Sequence, residues 1–462
     1  MKLTRYKLGE LIDVRRGASL SGEYYATEGD LIRLTLGNFD YQGGGFKDNT
    51  SKNDLYFVGP IKQEFILREG DIITPLTEQT PGLLGSTAQI PVSEKYIQSQ
   101  DVALIIPDES KLDKDFCYYL LPSKIVKQQL AAGAQQTKIR HTTPDRIKDL
   151  TVFIPALEDQ RGIGKLLKSI DRKIVLNRQI NRNLEVMARQ LYDYWFVQFD
   201  FPDENGRPYK SSGGAMKFDK ALGIEIPAEW EIDRLNTFIT SNNTGDWGYD
   251  EDNEHRMPVG CIRGADIVKL NDVPLRYIKK TNTHKLLSPY DIVIEVSGGS
   301  PVQATGRCAY ITPGVIKRNY GNMTCSNFCH AFRMKTIESS AYFYFTWKTL
   351  YDNNIMFNFE GKTSGIKNFM TETFLANKWY VAPDILQKLF FNRISNIFSI
   401  IDSNIEEINH LIKQRDELLP LLMNGQVSVM PSEVNCDLYL AISRIFTNFE
   451  YDILPLYTTE CF

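Results

Sequence analysis

The sequence predicts a mixed α/β (α+β) chain in which two homologous globular domains are separated by two long helices that form an antiparallel coiled coil, with pseudo-two-fold symmetry. Three observations predict it: two long stretches whose apolar residues alternate in spacings of four and three, opposite charge on those stretches, and an order of short motifs that recurs once, roughly 220 to 231 residues later. At 462 residues the chain is too long for one ordinary core. Hydrophobic content of 42% and charged content of 24% describe a soluble globular protein. No apolar run approaches the ~18 residues that span a bilayer, and the opening MKLTRYKLGE lacks a signal-peptide apolar region, so the expected location is the cytoplasm, with no membrane partner. Seven cysteines at irregular spacing read as buried or free thiols, not as a disulfide framework.

Residues 1–155 read as the first domain. Residues 30–35 form a strand, 43–46 a loop, 69–74 a turn feeding a strand, and 102–106 a buried strand stopped by Pro107. Residues 115–130 have helical spacing interrupted at Pro122, and a Gly/Gln/Thr loop over 132–141 leads to a last strand ending at Pro155. The first long helix follows over 156–198, with its seam at Ile163, Leu167, Ile170, Ile174, Asn177, Asn181, Leu184, Ala188, Leu191 and Trp195. At about 1.5 Å per residue it is a rod of roughly 50 Å. Asn177 and Asn181, polar at seam positions, fix register at some cost in stability.

Residues 199–225, which carry Pro, Gly and Ser, read as a linker. The second domain, 226–383, repeats the first: 286–293 matches 66–73, 306–311 matches 85–90, 361–383 matches 133–155, and Ile401 with Asp402 matches Ile170 with Asp171. The second long helix spans 384–425, with Ile394, Phe398, Ile401, Ile405, Ile408, Ile412 and Leu419 on its seam before Pro420 and Gly425 end it. Residues 160–190 carry eight Lys/Arg and two Asp/Glu, whereas 391–420 carry three and five, so the two helices attract. The tail, 426–462, matches nothing in the first half, and 439–449 has the pattern of an additional helix.

The motifs YKLGE at Tyr6, FILREGDII at Phe65, IPALEDQ at Ile154, LYDYWFVQFD at Leu191 and LLPLLMNGQV at Leu418, in this order and with the duplication, resemble the specificity subunit of a type I restriction-modification system over about residues 1 to 430. The sequence departs from that pattern after Val381, where the usual proline followed closely by Glu-Gln is replaced, and by a three-residue surplus between Pro383 and Asp402. The resemblance implies two target-recognition domains, each reading half of a split double-stranded DNA sequence in a bacterial or archaeal cytoplasm. It implies two modification (adenine methyltransferase) subunits and restriction/translocase subunits as partners. It also implies no catalysis and no cofactor in this chain, with S-adenosylmethionine, ATP and Mg2+ bound by the partners. The competing readings are the recognition subunit of a methyltransferase-only or type IIB/IIG-like system, a fused restriction-modification enzyme, and a non-specific DNA-binding coiled-coil adaptor.

Within that reading, polar side chains on the loops are the candidates for DNA contact. They are Thr77, Glu78, Gln79, Thr80, Gln135, Gln136, Thr137, Lys138, Arg140 and His141 in the first domain, and Ser297, Ser300, Gln303, Arg307, Lys362, Thr363, Ser364, Lys367 and Asn368 in the second. Net charge is −4, yet residues 131–190 hold twelve Lys/Arg against six Asp/Glu, so positive charge gathers where the first domain meets its helix. Catalytic alternatives fail on their residues. Gly361, Lys362 and Thr363 resemble the end of a phosphate-binding loop, but Met356 stands where its first glycine is required. Cys325, Cys329 and His330, with Cys261 and Cys308 upstream, lack the paired spacing of a zinc site, so no metal is expected.

Overall fold

The computed structural model describes residues 1–40, 44–78, 82–133, 140–298, 302–363 and 366–429. The additional helix expected over 439–449 lies outside them. The chain divides into two compact units, Met1–Val175 with Asn409–Phe462, and Leu176–Ile408. The division falls inside both long helices, Leu157–Tyr192 and Asp384–Met423. Each unit therefore combines part of the helix pair with one sheet-bearing module.

Both modules have the same topology. In the first, a four-stranded antiparallel sheet runs in the order Ile12–Arg16, Val102–Pro107, Ile72–Pro75, Ala88–Gln89. In the second the order is Ile239–Thr244, Cys329–Met334, Ile292–Glu295, Cys308–Tyr310. Each module also has a parallel strand pairing, Ile32–Arg33 with Tyr96–Ile97 and Arg256–Ile262 with Met323–Cys325. Each closes on an antiparallel pair formed by its first and last strands, Thr4–Lys7 with Thr151–Ile154 and Glu231–Arg234 with Lys378–Val381. Gly17 and Gly245 occupy equivalent crossings. A Cβ at Gly17 would run into the Gln98 and Ser99 carbonyls, and one at Gly245 into those of Cys325 and Ser326, so the backbones approach closely only because both residues are glycine.

Several elements differ from the sequence expectation. The strand expected over 30–35 is reduced to Ile32–Arg33 before a 3-10 turn capped by Thr35. The helix over 115–130 is two helices, Lys114–Leu120 and Lys124–Gly133, with Pro122 in the break. Pro420 does not end the second long helix, which runs on to Met423. Leu418 and Leu422 are fully buried on either side of it, and Gly425 at φ +70 closes the helix while the Gln426 amide donates to the Leu421 carbonyl. The segment expected as a linker over 199–225 is folded onto the second unit. Phe201 stacks on Trp230 at 5.4 Å, the Ser211 amide and hydroxyl donate to Asp200 at 2.7 and 2.6 Å, and Met216–Asp219 pairs with Ile224–Pro227.

The start of each long helix is fixed by a buried glutamine. Gln160 accepts from the Asp113 amide at 2.9 Å and donates to the Pro155 and Lys111 carbonyls, and Gln387 donates to the Ala382 carbonyl at 2.7 Å. The shared five-residue reach aligns Pro155 with Ala382. Asp402 therefore stands one helical turn beyond the counterpart of Asp171, which corrects the pairing drawn from sequence. Their partners differ accordingly: Asp171 accepts from Tyr119 at 2.6 Å and Arg415 at 2.9 Å, Asp402 from Arg318 at 2.7 Å.

In the second unit Asn177 donates to Glu407 and Asn404 donates to Asn181, both at 2.7 Å. Ascending numbers on one helix meet descending numbers on the other, so the pair is antiparallel. On the first helix Ile163, Leu167, Ile170, Ile174 and Ala188 are buried, with Leu184 half-buried. Tyr192 rather than Leu191 is fully buried, and the π-helical turn Asp193–Val197 brings both Trp195 and Phe196 inward. On the second helix Ile394, Ile401 and Ile408 are buried, Phe398 and Ile405 partly so. Beyond Ile408 the buried positions are Leu411, Leu418, Leu422 and Met423, and Ile412 and Leu419 are only half-buried. This one-residue shift follows from geometry, because a 3.6-residue helix drifts about 20° per heptad against a strict seven-residue repeat. No helix among the described residues is long and apolar enough to cross a membrane.

Replacing Asn181 by Leu leaves the half-buried Asn404 amide without its acceptor. We expect a loss of about 1–3 kcal/mol in chemical denaturation, with most of it restored in the Asn181→Leu/Asn404→Leu double variant.

Candidate nucleic-acid interface

The two candidate segments of each module, far apart in sequence, are brought together by strand pairing. In the first unit Thr77–Glu78 pairs antiparallel with Arg140–His141, with Arg140 opposite Glu78 and His141 opposite Thr77. In the second, Ser297 stands opposite Asn368 and Gly298 opposite Lys367, and the strand Ile366–Phe369 continues into a hairpin with Glu360–Thr363. The Ser297 hydroxyl donates to Asn368 Oδ1 at 2.6 Å. Each of these ladders follows directly on a central strand of its four-stranded sheet, Ile72–Pro75 or Ile292–Glu295. A buried strand thus delivers a polar segment to the same end of each module.

Comparison with known proteins points to one family. The sequence pattern of the type I restriction modification DNA specificity domain matches residues 2–186. The specificity subunit of the type I restriction enzyme MjaIX of Methanocaldococcus jannaschii is 25% identical over 341 residues, 70% of this chain and 71% of the relative. The HindI specificity subunit of Haemophilus influenzae is 31% identical over 109 residues, 23% of this chain and 24% of that one. The crystal structure of a type I restriction-modification S subunit from M. genitalium shares the fold, with a TM-score of 0.53 at 16% identity, covering 91% of this chain and 96% of that one. The chain is similar to type I restriction-modification specificity subunits, and the family's DNA specificity domain covers residues 2–186.

The candidate side chains have distinct surroundings. Thr77 and Glu78 are buried. Glu78 Oε2 accepts the amides of Gly82, Leu83 and Leu84 at 3.0, 2.9 and 3.0 Å, and its other oxygen lies 3.5 Å from Arg140. His141 is exposed. Gln79, Thr80, Gln135, Gln136, Thr137, Lys138, Ser300 and Ser364 lie outside the described residues. Lys362 and Thr363 are on the hairpin strand, in register with Lys367 and Ile366.

Two candidates of the second module have other neighbours. Arg307 is held within the module: its guanidinium makes a two-pronged pair with the buried Glu295 at 2.8 and 2.7 Å and donates to the Gly264 carbonyl at 2.8 Å. That carboxylate holds Arg307 above its ordinary pKa despite the opposing effect of burial. Gln303 is exposed and borders a cleft of about 370 Å³ shared with Arg189, Tyr344 and Lys348. What sequence reasoning missed was the carboxylates. Glu295 sits in an apolar strand context, and Glu360 precedes the Gly361-Lys362-Thr363 motif that drew attention instead. Glu360 Oε1 accepts the Thr305 amide at 2.8 Å, and Oε2 pairs with Lys367 at 2.9 Å.

Cys261, Cys325 and Cys329 are buried on neighbouring strands, and burial pushes the Cys261 and Cys329 thiols up to about 12. Among the described residues no group of three or more His, Cys, Asp or Glu is placed to hold a metal ion.

Burial raises the Glu360 carboxyl, but Lys367 and the Thr305 amide outweigh it and hold the group below its ordinary value of 4.5. A depressed carboxylate contributes stability that is present above 4.5 and is lost as pH falls through the lower folded value. We expect the stability difference between wild type and Glu360→Gln to be full above pH 4.5 and to shrink steadily as pH drops below it, measured by denaturant titration across pH.

Proposed function

We propose that this chain is a type I restriction-modification specificity subunit that recognises a bipartite double-stranded DNA target, each module reading one half, and that it scaffolds the subunits that do the chemistry. The observation that carries this reading is the duplicated ladder: two copies of one module each bring a polar segment from a central sheet strand against a second polar segment. Duplicated readers on one chain suit two separated half-sites, with the spacing between them set by protein dimensions. Polar side chains there can address base edges, while backbone and cationic contacts to phosphate set register.

On this reading the partners are two modification subunits with adenine methyltransferase activity, joined by restriction/translocase subunits. S-adenosylmethionine, ATP and Mg2+ belong to those partners. This chain contributes recognition and assembly and no catalytic group.

Two measurements test it. Genome-wide mapping of N6-methyladenine, in a host carrying the chain with its modification subunit and in the same host without the chain, should show a split motif that disappears with the chain. Unchanged methylation would move the function to a differently partnered DNA-binding protein. The long helices supply the second test. Deleting one heptad from each, matched across the pair, should shorten the gap between half-sites by about three base pairs, since seven residues of helix rise about 10 Å. The half-site sequences should remain as they were, and retention of the original gap would remove the helices from the spacing role.

A further inference from the structure

Arg140 and Lys367 sit at equivalent places in the two modules, each on the strand that pairs with the polar extension of the central sheet, opposite Glu78 and Gly298 respectively. As isolated cations on candidate DNA-binding loops, both would be assigned to phosphate contact. Their surroundings argue otherwise. Arg140 faces the buried Glu78 carboxylate at 3.5 Å, and that carboxylate also accepts three successive amides, Gly82 to Leu84. Lys367 pairs at 2.9 Å with Glu360, whose carboxylate also accepts the Thr305 amide and hydroxyl.

The carboxylate comes from different strands. In the first module it stands directly across the ladder from the cation. In the second that place is Gly298, where a Cβ would already be 3.0 Å from Glu295 Oε1, and the carboxylate reaches in from the neighbouring hairpin strand. The connectivity achieved is the same: a cation on one polar segment, a buried carboxylate, and backbone amides of the stretch that follows the other polar segment. Different residues arriving at one arrangement in both modules point to a shared task.

We infer that Glu78–Arg140 and Glu360–Lys367 are positioning clamps, resting on the recognition reading above. They hold the two polar segments of each module in one geometry, and they withhold the two cations from the phosphate backbone. The clamps act on which bases are preferred and contribute little to the salt-sensitive affinity.

The two roles separate experimentally. A cation that neutralises a phosphate contributes about 0.9 to the slope of log K against log salt, whereas a clamp contributes nothing to it. The test uses the chain in complex with its modification subunits, selecting from a duplex library randomised at the target and titrating the selected duplex across salt. The variants are Glu78→Gln, Arg140→Gln, Glu360→Gln and Lys367→Gln. We expect the first two to blur base preference in one half of the motif and the last two in the other half, with the salt slope of all four matching wild type. Arg140 and Lys367 are partly exposed, so their variants keep the test informative where a change at a buried carboxylate unfolds its module. A slope lowered by about one with the motif intact would assign the cations to phosphate and overturn the clamps. Blurring of both halves by one variant would also overturn them, as would a sharp wild-type motif untouched by all four. A wild-type complex that selects no motif would instead sink the recognition reading on which the clamps rest.

Discussion

Packing two antiparallel helices against each other removes from water a stripe of Ile, Leu and aromatic side chains that neither helix can hide alone. In each unit the module then packs on that pair. In the second unit Ala188, Tyr192 and Trp195 of one helix and Phe390, Ile394 and Ile401 of the other share a core with Trp230, Phe332, Tyr342 and Trp347 of the module. In the first, the helix comes so close to Lys114–Leu120 that a Cβ on Gly164 would lie 2.8 Å from the Phe116 amide nitrogen. The apolar stripe alone would not specify register, since a slide of one heptad buries a similar set of side chains. Asn177 with Glu407, Asn181 with Asn404, and Asp171 with Arg415 do specify it, because each slid arrangement strands a buried polar group.

The same economy of buried polar groups recurs within the modules. Glu78, Glu295 and Glu360 are each buried or nearly so, and each is matched to a cation, with Glu78 and Glu360 also taking backbone amides. A carboxylate in such a place is tolerated only when its acceptors are filled, and breaking one partnership leaves a charge uncompensated. This makes the ladders next to the sheet rigid in a way that exposed loop residues would not be. Rigidity matters for reading bases, because a side chain that addresses a base edge must arrive in a fixed position relative to its neighbours.

The architecture was legible in the sequence because its causes are periodic. Two heptad seams and one repeated motif order produce two long helices and two modules, and both signals survive the divergence between the halves. Local details escaped where tertiary contacts override a pattern. The seam beyond Ile408 moved by one residue because helix geometry does not follow a strict seven. Pro420 was carried through because Leu418 and Leu422 are buried beside it. Residues 199–225 were read as a linker from Pro, Gly and Ser content, yet Phe199, Phe201 and Tyr209 in that stretch pack on or beside Trp230. For the candidate site, the sequence names segments that the fold pairs with each other, and not the surroundings of their side chains. Thr77, Glu78 and Arg307 have the chemistry of DNA contacts in a list of residue types, and only the fold shows the first two buried and the third paired with Glu295. A buried ion pair leaves no local mark in sequence, since its partners stand 7, 12 or 62 residues apart in Glu360–Lys367, Glu295–Arg307 and Glu78–Arg140, and neither needs a neighbouring motif.

That difference bears on how a chain of net charge −4 addresses a polyanion. If Arg140, Arg307 and Lys367 all faced phosphates, attraction would be strong for any duplex, because phosphate contacts carry no sequence information. Each of the three is instead matched to a carboxylate inside its own module. Removing cations from phosphate contact lowers binding to every sequence alike, while base contacts held by a rigid ladder are lost only on the wrong sequence. On the proposed reading the ratio between right and wrong duplexes therefore rises even as total affinity falls, and for a protein that chooses one site among a genome of competitors that ratio is the quantity that counts.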